Sequence, residues 1–503
     1  MRNSHWTYNK NSFSFRINKF FERAFLEQKL NNWLGYFIFS LLAVGIGFLM
    51  VQKTEIALGM LGLVCGLAVA IVCMMNAELG LYIIMIYSFM VSHFNRLLFG
   101  DSLPVGVLQD ILIGVTFLGF LVRKVNLRNS VNSFVKNTVV LMFLIVYGYM
   151  ALEVVNPNAG SLTGWVPAFR KILGTLLILF ISYNIFNTLE AIKRFIKVLF
   201  VMCVLVAIYA CIQQFNGFFA FEYNWLLSDP RRFRMTFVNG GSRKMSFMPD
   251  SLSLSIVMAT CSVLFITFFA FEKNAFKRVI LGTGVMLMIL AMTYSLTRTS
   301  NVMLVGGVGM FMLIMIDKKL TRIYALLGLG FFLILLYGPY SNAQIGQFRQ
   351  TFKGGTKDAS YLVREQNRKS IQPYIYSHPI GGGLSTTGGE GETYNPGHPL
   401  AGFPPDSGYL KKALEIGWIG LILIMSLYFF ILREGIRGYF RSKNETIKLI
   451  YTGITASCFA FYVGDFSQVS IGQITDVVVY YPFIAILLGL KAIESKSKPL
   501  TPS

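Results

Sequence analysis

The strongest constraint on this chain is the recurrence of apolar runs of about 20 residues from Trp33 to Lys491, with little polar sequence between them. Wound as an α-helix, a run of that length matches the hydrocarbon core of a bilayer. Only helices and closed barrels cross that core, because an unpaired backbone amide finds no water there. These runs are too long and too uniformly apolar for barrel strands, which alternate in polarity. Composition agrees. Charged residues make up 14% of the chain, against about 25% in soluble proteins, and the mean hydropathy is +0.58. The sequence predicts an all-α polytopic transmembrane bundle of about twelve to fourteen spans. The fullest reading places them at 33–51, 56–75, 79–95, 104–122, 138–155, 170–187, 195–214, 251–271, 279–297, 299–316, 321–338, 408–432, 449–464 and 475–490.

The net charge of +21 would suggest a nucleic-acid partner in a soluble protein, but its distribution gives another cause. With the N-terminus on the cytoplasmic side, the cytoplasmic segments hold 27 basic against 9 acidic residues and the opposite side 18 against 15. That asymmetry is the positive-inside bias of a membrane protein, so no nucleic acid is needed. The basic tail 1–32 then reads as cytoplasmic, followed by an uncleaved first span, and the tail 492–503 reads as cytoplasmic too. The six cysteines lie inside apolar runs with no CxxC spacing, so they read as buried small hydrophobes rather than metal ligands or disulfides.

No polar linker divides the spans, so the chain reads as one membrane domain, 33–338 continuing in the helices of 408–491. Three segments on the non-cytoplasmic side break the apolar rhythm: the loop 215–250, Arg298 between two spans, and the long loop 339–407. Unstructured loops of such length are uncommon and are often functional. Short helices are expected in it, above all at Ser360–Ile371.

These segments hold the residues able to carry chemistry. Arg298 is either a snorkelling interface arginine or a functional charge at the membrane edge. Arg364 and Arg368 are four apart and share a helix face, where two guanidinium forks suit a diphosphate as well as they suit solvent. Arg231, Arg232, Arg234, Arg243 and Lys244 admit the same two readings, with phospholipid headgroups as a further partner. The glycines Gly381–Gly383 follow His378-Pro379 and read as a tight turn, because no GK[ST] follows them. Asp406-Ser407 precede a helical run, where such residues cap the helix start. Either Asp406 or the loop residue His398 is also placed to act as a general base.

Three stretches together resemble the superfamily of O-antigen ligases and Wzy-type polymerases, bacterial envelope glycosyltransferases. Leu296-Thr297-Arg298-Thr299 is similar to that family's arginine motif opening a span. Arg364 through Ser377-His378-Pro379-Ile380-Gly381-Gly382-Gly383 is similar to its arginine, short helix and glycine turn. Pro405-Asp406-Ser407-Gly408-Tyr409-Leu410, leading into Leu414-Glu415-Ile416-Gly417-Trp418-Ile419-Gly420, is similar to its loop end and the following helix. The resemblance implies transfer of a glycan from an undecaprenyl diphosphate carrier to an acceptor hydroxyl outside the inner membrane, without nucleotide or metal. The acceptor would be a glycan, lipid or protein, and membrane lipids would surround the site. Arg298 and Arg364 would hold the diphosphate, and His378, Tyr409 and the other loop arginines would contact substrate. The family commonly carries a His-Asn pair where this chain has Asp406-Ser407, so here the base would be Asp406 or His398.

A transporter or flippase of lipid-linked glycan is the competing reading. Transporters place polar groups near the bilayer midplane, whereas most spans here are apolar through their centres and polar residues gather at the outer ends. The charge asymmetry itself makes a prediction. Reporter domains fused at residue 1 and at residue 503 should both be active only as cytoplasmic reporters, and an externally active fusion at either end would refute the orientation.

Overall fold

The computed structural model describes residues 33–52, 54–123, 127–238, 241–339, 343–353 and 359–496. The tail 1–32 and residues 497–503 lie outside the described residues. Helix dominates, as the apolar runs require. In chain order the helices are α1 (Trp33–Gln52), α2 (Thr54–Met75), α3 (Ala77–Phe99), α4 (Val105–Arg123), α5 (Leu127–Val135), α6 (Thr138–Leu152), α7 (Leu162–Ile185) and α8 (Leu189–Asn216). Next come α9 (Ala220–Leu227), α10 (Pro230–Thr236), α11 (Ser251–Phe271), α12 (Ala275–Tyr294), α13 (Arg298–Ile314), α14 (Lys319–Tyr337), α15 (Ala343–Lys353) and α16 (Ala359–Ser377). Last are α17 (Gly388–Tyr394), α18 (Gly408–Glu415), α19 (Gly417–Arg441), α20 (Glu445–Asp465) and α21 (Ile474–Lys496). Among the described residues, 11 helices are long and apolar enough to cross a membrane, and two shorter apolar ones cover 59–75 and 298–314.

The chain divides into two compact units. The first comprises residues up to 83 and 111–130. Within it Gly80 lies against Thr116, where an added Cβ would come within 2.7 Å of the threonine methyl, so glycine sets how closely α3 and α4 approach. Cys65 on α2 is exposed rather than buried, because the neighbouring turns of that helix are also uncovered.

The second unit holds 84–110 and 131 onward. At its centre are α11, α20 and α21: 78%, 78% and 83% of their spanning windows are buried, against 11% for α14. Apolar side chains gain little by leaving lipid for one another, so packing of small residues has to bring the helices together. Gly307 of α13 sits against Val263 and Ala460, Gly453 against Leu264, and Gly464 against Met303. Ser457 adds an interhelical bond, its Oγ donating to the Thr260 carbonyl at 3.1 Å.

Among the helix boundaries that differ from the sequence reading, three do so because a charge or backbone group finds a partner. The span expected from 170 begins at Leu162, because Arg170 pairs with Asp110 at 2.9 Å and Lys171 with Glu390 at 2.7 Å. The span expected to end at 95 runs to Phe99, because Arg96 donates to the Met248 and Pro249 carbonyls and lies 4.6 Å from the Trp225 ring centre. The run expected to be continuous over 408–432 breaks at Ile416. Gly417 there has φ +69°, and the Pro379 carbonyl occupies the space a Cβ would need.

One buried carboxylate of this unit joins several elements. Asp465, at the end of α20, is 0% exposed and pairs with Lys412 of α18. It also accepts from the Tyr428 hydroxyl of α19 at 3.2 Å and from the Ser470 N–H at 3.2 Å. Removing one member of a buried pair strands the other charge and costs about 3–5 kcal/mol. Asp465→Ala should therefore lower the thermal unfolding midpoint of the detergent-solubilised protein sharply, and Asp465→Asn combined with Lys412→Met should recover part of it. An unchanged midpoint in Asp465→Ala would refute the role of this pair.

Candidate functional site

Residues 466–473, between α20 and α21, bring the separate sequence motifs to one place. Ser467 bonds the Thr299 hydroxyl at 3.0 Å, one residue beyond Arg298. The Gln468 carbonyl accepts from the Gly408 N–H at 3.2 Å, two residues beyond Asp406. The Phe466 ring lies 5.4 Å from the Arg368 guanidinium carbon. The arginine motif, the loop helix and the loop end, far apart in sequence, thus meet around four consecutive residues, Asp465 to Gln468.

Arg298 opens α13, preceded by Leu296 at φ +50° and by Thr297 in an extended conformation. This sharp turn ends one span and starts the next within a few residues, leaving the guanidinium exposed. It donates to Gln350 of α15 at 3.2 Å, and Asn301 one turn on donates to Thr351 at 3.3 Å, so α15 lies along the start of α13. A two-stranded hairpin, β1 (Phe237–Val238) with β2 (Gly241–Ser242), delivers Arg243. That residue is fixed by its N–H to the Thr236 carbonyl at 2.9 Å, and the Lys244 N–H bonds the Tyr294 carbonyl at 3.0 Å. Burial first, and the neighbouring Arg298 charge second, hold the Arg243 pKa below the ordinary arginine value. Its Nε is buried with no hydrogen-bond partner among the described residues. Two adjacent cations and an unsatisfied donor favour an anion.

At the loop end, Ser407 alone caps α18: its Oγ accepts from the Leu410 N–H at 3.0 Å. Asp406 is thereby left out of the cap. Its Oδ2 is buried without a hydrogen-bond partner among the described residues, so its acceptor capacity is unused there.

The glycine turn fastens the long loop to the break between α18 and α19. Gly381 turns back on His378, its N–H bonding that carbonyl at 2.9 Å. Gly382 and Gly383 then donate to the Leu414 and Glu415 carbonyls at 2.8 and 2.9 Å, and Ile419 donates to the Pro379 carbonyl at 3.3 Å. Beside them the Thr387 hydroxyl donates to Glu415 at 2.5 Å, and burial raises the Glu415 pKa. Glu390 of α17 bridges Lys171 at 2.7 Å and Lys411 at 2.8 Å, which ties α17 to both α7 and α18.

The structure separates the remaining sequence candidates. His398 was a candidate base, but backbone groups occupy both its nitrogens: Leu400 N–H donates to Nδ1 at 3.1 Å, leaving Nε2–H to donate to the Asn158 carbonyl at 3.0 Å. The ring clamps the loop and keeps no free lone pair. His378 stacks on Tyr374 with ring centres 3.9 Å apart and bonds the Tyr374 carbonyl at 2.9 Å, closing α16. The Tyr409 hydroxyl donates to the Tyr462 carbonyl at 2.7 Å. Arg232 turns to Asp101 at 3.4 Å and to the Trp225 ring at 4.6 Å, the Arg234 Nε bonds the Pro230 carbonyl at 3.3 Å, and Arg231 is exposed. Arg364 stands one turn before Arg368 on α16. Sequence reasoning missed Asp465, Phe466, Lys412 and Glu390. Asp465 did carry a signal, as an acidic residue at the end of an apolar run, but the identity of its partner was not readable.

Glu390 gives a pH test. Burial pushes its carboxyl up, but Lys411 and Lys171 together outweigh that and hold its pKa at about 2, against an ordinary 4.5. A depressed acid stabilises the folded state fully above its unfolded pKa and loses that contribution as pH falls through the folded value. Protection of residues 381–400 from protease should therefore weaken between pH 4.5 and about 2. In Glu390→Gln protection should be lower at neutral pH and flatter across that window, and identical profiles would refute the bridge.

Residues 283–425 match the family model described as O-Antigen ligase. The matched stretch takes in Arg298, Arg364, Arg368, Asp406 and the glycine turn. No curated protein matches the chain. Together with the all-α polytopic fold, this match shows a membrane protein that carries a domain of the O-antigen ligase superfamily.

Proposed function

We propose that this protein transfers a glycan from undecaprenyl diphosphate to an acceptor hydroxyl on the non-cytoplasmic side of a bacterial inner membrane. One observation above all supports this reading. The 465–468 segment contacts both the start of α13, beside Arg298, and the start of α18, beside Asp406. A cationic group and a carboxylate with a buried oxygen that has no hydrogen-bond partner among the described residues therefore flank one short stretch of chain.

The roles follow from the chemistry of such a transfer. The acceptor oxygen forms a bond to the anomeric carbon of the donor sugar while the bond from that carbon to the phosphate oxygen breaks. Asp406 takes the acceptor proton, and the released electron pair leaves on the diphosphate. Arg298, Arg364 and Arg243, with Arg368 beside them, stabilise the charge that grows on the leaving group. Fixed cations aimed at developing charge contribute more in a water-poor site than in bulk solvent. Arg231, Arg232 and Arg234 would meet lipid phosphates or glycan at the rim of the 215–250 loop. The carboxylate and the arginines supply proton transfer and charge stabilisation without a metal or nucleotide.

A deletion strain complemented with variants tests the reading. Arg298→Ala, Arg364→Ala and Asp406→Ala should each insert at normal levels. Each should lower transfer by about 100-fold or more, the loss typical when one stabilising group is removed. Normal surface glycan in all three would sink the proposal and return the chain to the transporter reading. Gel analysis also separates the two family activities. Loss of a ligase leaves glycan on undecaprenyl diphosphate, whereas loss of a polymerase leaves anchors bearing a single repeat unit.

A further inference from the structure

Phe466 has no role in the scheme above, yet it sits in the segment where the motifs of the candidate site meet. It is 62% exposed. It follows the buried Asp465 and precedes Ser467, which is bonded to Thr299, and Gln468, whose carbonyl is bonded to Gly408. The Arg368 guanidinium approaches its ring at 5.4 Å. Its backbone is held by the N–H bond to the Val463 carbonyl at 3.3 Å, directly beside the Asp465–Lys412 pair. The ring is thus an exposed apolar plate on a hydrogen-bonded backbone, with polar residues on either side of it in sequence.

Its place along the site matters as much as its exposure. The next residue, Ser467, contacts Thr299 beside Arg298, and the one after it, Gln468, contacts Gly408 two residues beyond Asp406. In the transfer reaction, the group lying between the leaving diphosphate and the base is the sugar whose anomeric carbon reacts. A pyranose ring has one face rich in C–H bonds and an edge of hydroxyls. The electron-rich face of an aromatic ring attracts the positive ends of C–H bonds, and the neighbouring hydroxyl and guanidinium groups suit the hydroxyl edge.

We infer that Phe466 is a stacking platform for the reacting sugar of the lipid-linked donor, and so a residue that determines sugar specificity. This rests on the glycan-transfer reading and adds to it a subsite for the sugar, distinct from the diphosphate subsite. Ala at this position removes the plate and leaves the arginines in place. Trp keeps and enlarges the plate.

Binding of purified full-length protein to three probes tests the inference: undecaprenyl diphosphate alone, and the same lipid carrying N-acetylglucosamine or galactose. Phe466→Ala should weaken binding of at least one sugar-bearing lipid about tenfold and leave the affinity for undecaprenyl diphosphate unchanged. The fluorescence of Phe466→Trp, corrected for the wild-type signal, should change more with that sugar-bearing lipid than with the bare diphosphate lipid. If Phe466→Ala weakens all three probes equally, or if neither sugar changes binding or fluorescence beyond undecaprenyl diphosphate alone, the platform is overturned. The control Arg298→Ala separates the two ideas. It should weaken all three probes, and if it weakens none, the transfer reading fails instead.

Discussion

The buried carboxylate of Asp465 is the interaction on which the arrangement of the candidate site depends. A charge removed from water is tolerated only with an opposite charge and hydrogen bonds around it. Asp465 takes these from three places: Lys412 on α18, Tyr428 on α19 and Ser470 in the following loop. Satisfying one carboxylate therefore fixes three elements relative to the end of α20. The next three residues are held in place as a result, and they touch the beginnings of α13 and α18. The same burial also excludes a side chain at position 408, where a Cβ would collide with the Asp465 carboxylate.

The long loop is fastened in a different way. Its glycine turn bonds through backbone groups to the carbonyls freed where α18 gives way to α19. A helix break leaves carbonyls without intrahelical partners, and in an apolar setting they must be satisfied from elsewhere. Gly381 and Gly417 both take positive φ at the point of closest approach, where neither has room for a Cβ. The Glu390 bridge to Lys171 and Lys411 then ties the far part of the loop to two further helices. The loop is in this way part of the structural frame around the candidate site.

Much of this was legible in the sequence. The helices followed from run length, because a bilayer allows few alternatives for an apolar run. The long-loop helix expected at Ser360–Ile371 lies within α16. The capping role of Asp406-Ser407 was also readable, although only the structure assigns the cap to Ser407. His398 illustrates the limit. A lone loop histidine reads as a candidate base, and nothing local reveals that Asn158 and Leu400 will occupy both its nitrogens. Arg243 illustrates the opposite case, as one of five basic residues in its loop distinguished only by the hairpin that sets it beside Arg298.

The sequence alone determined the class of the molecule, because the length and hydrophobicity of an apolar run are properties of a short stretch that act locally. It also supplied the residue types of the site, in motifs that can be read one at a time. Only the tertiary structure decided which of them meet. Contacts such as Thr299 with Ser467, Gly408 with Gln468 and Lys412 with Asp465 join residues 53 to 168 positions apart. Such pairings arise from packing and from the need to neutralise buried charge, and neither requirement is written in the neighbourhood of any one residue.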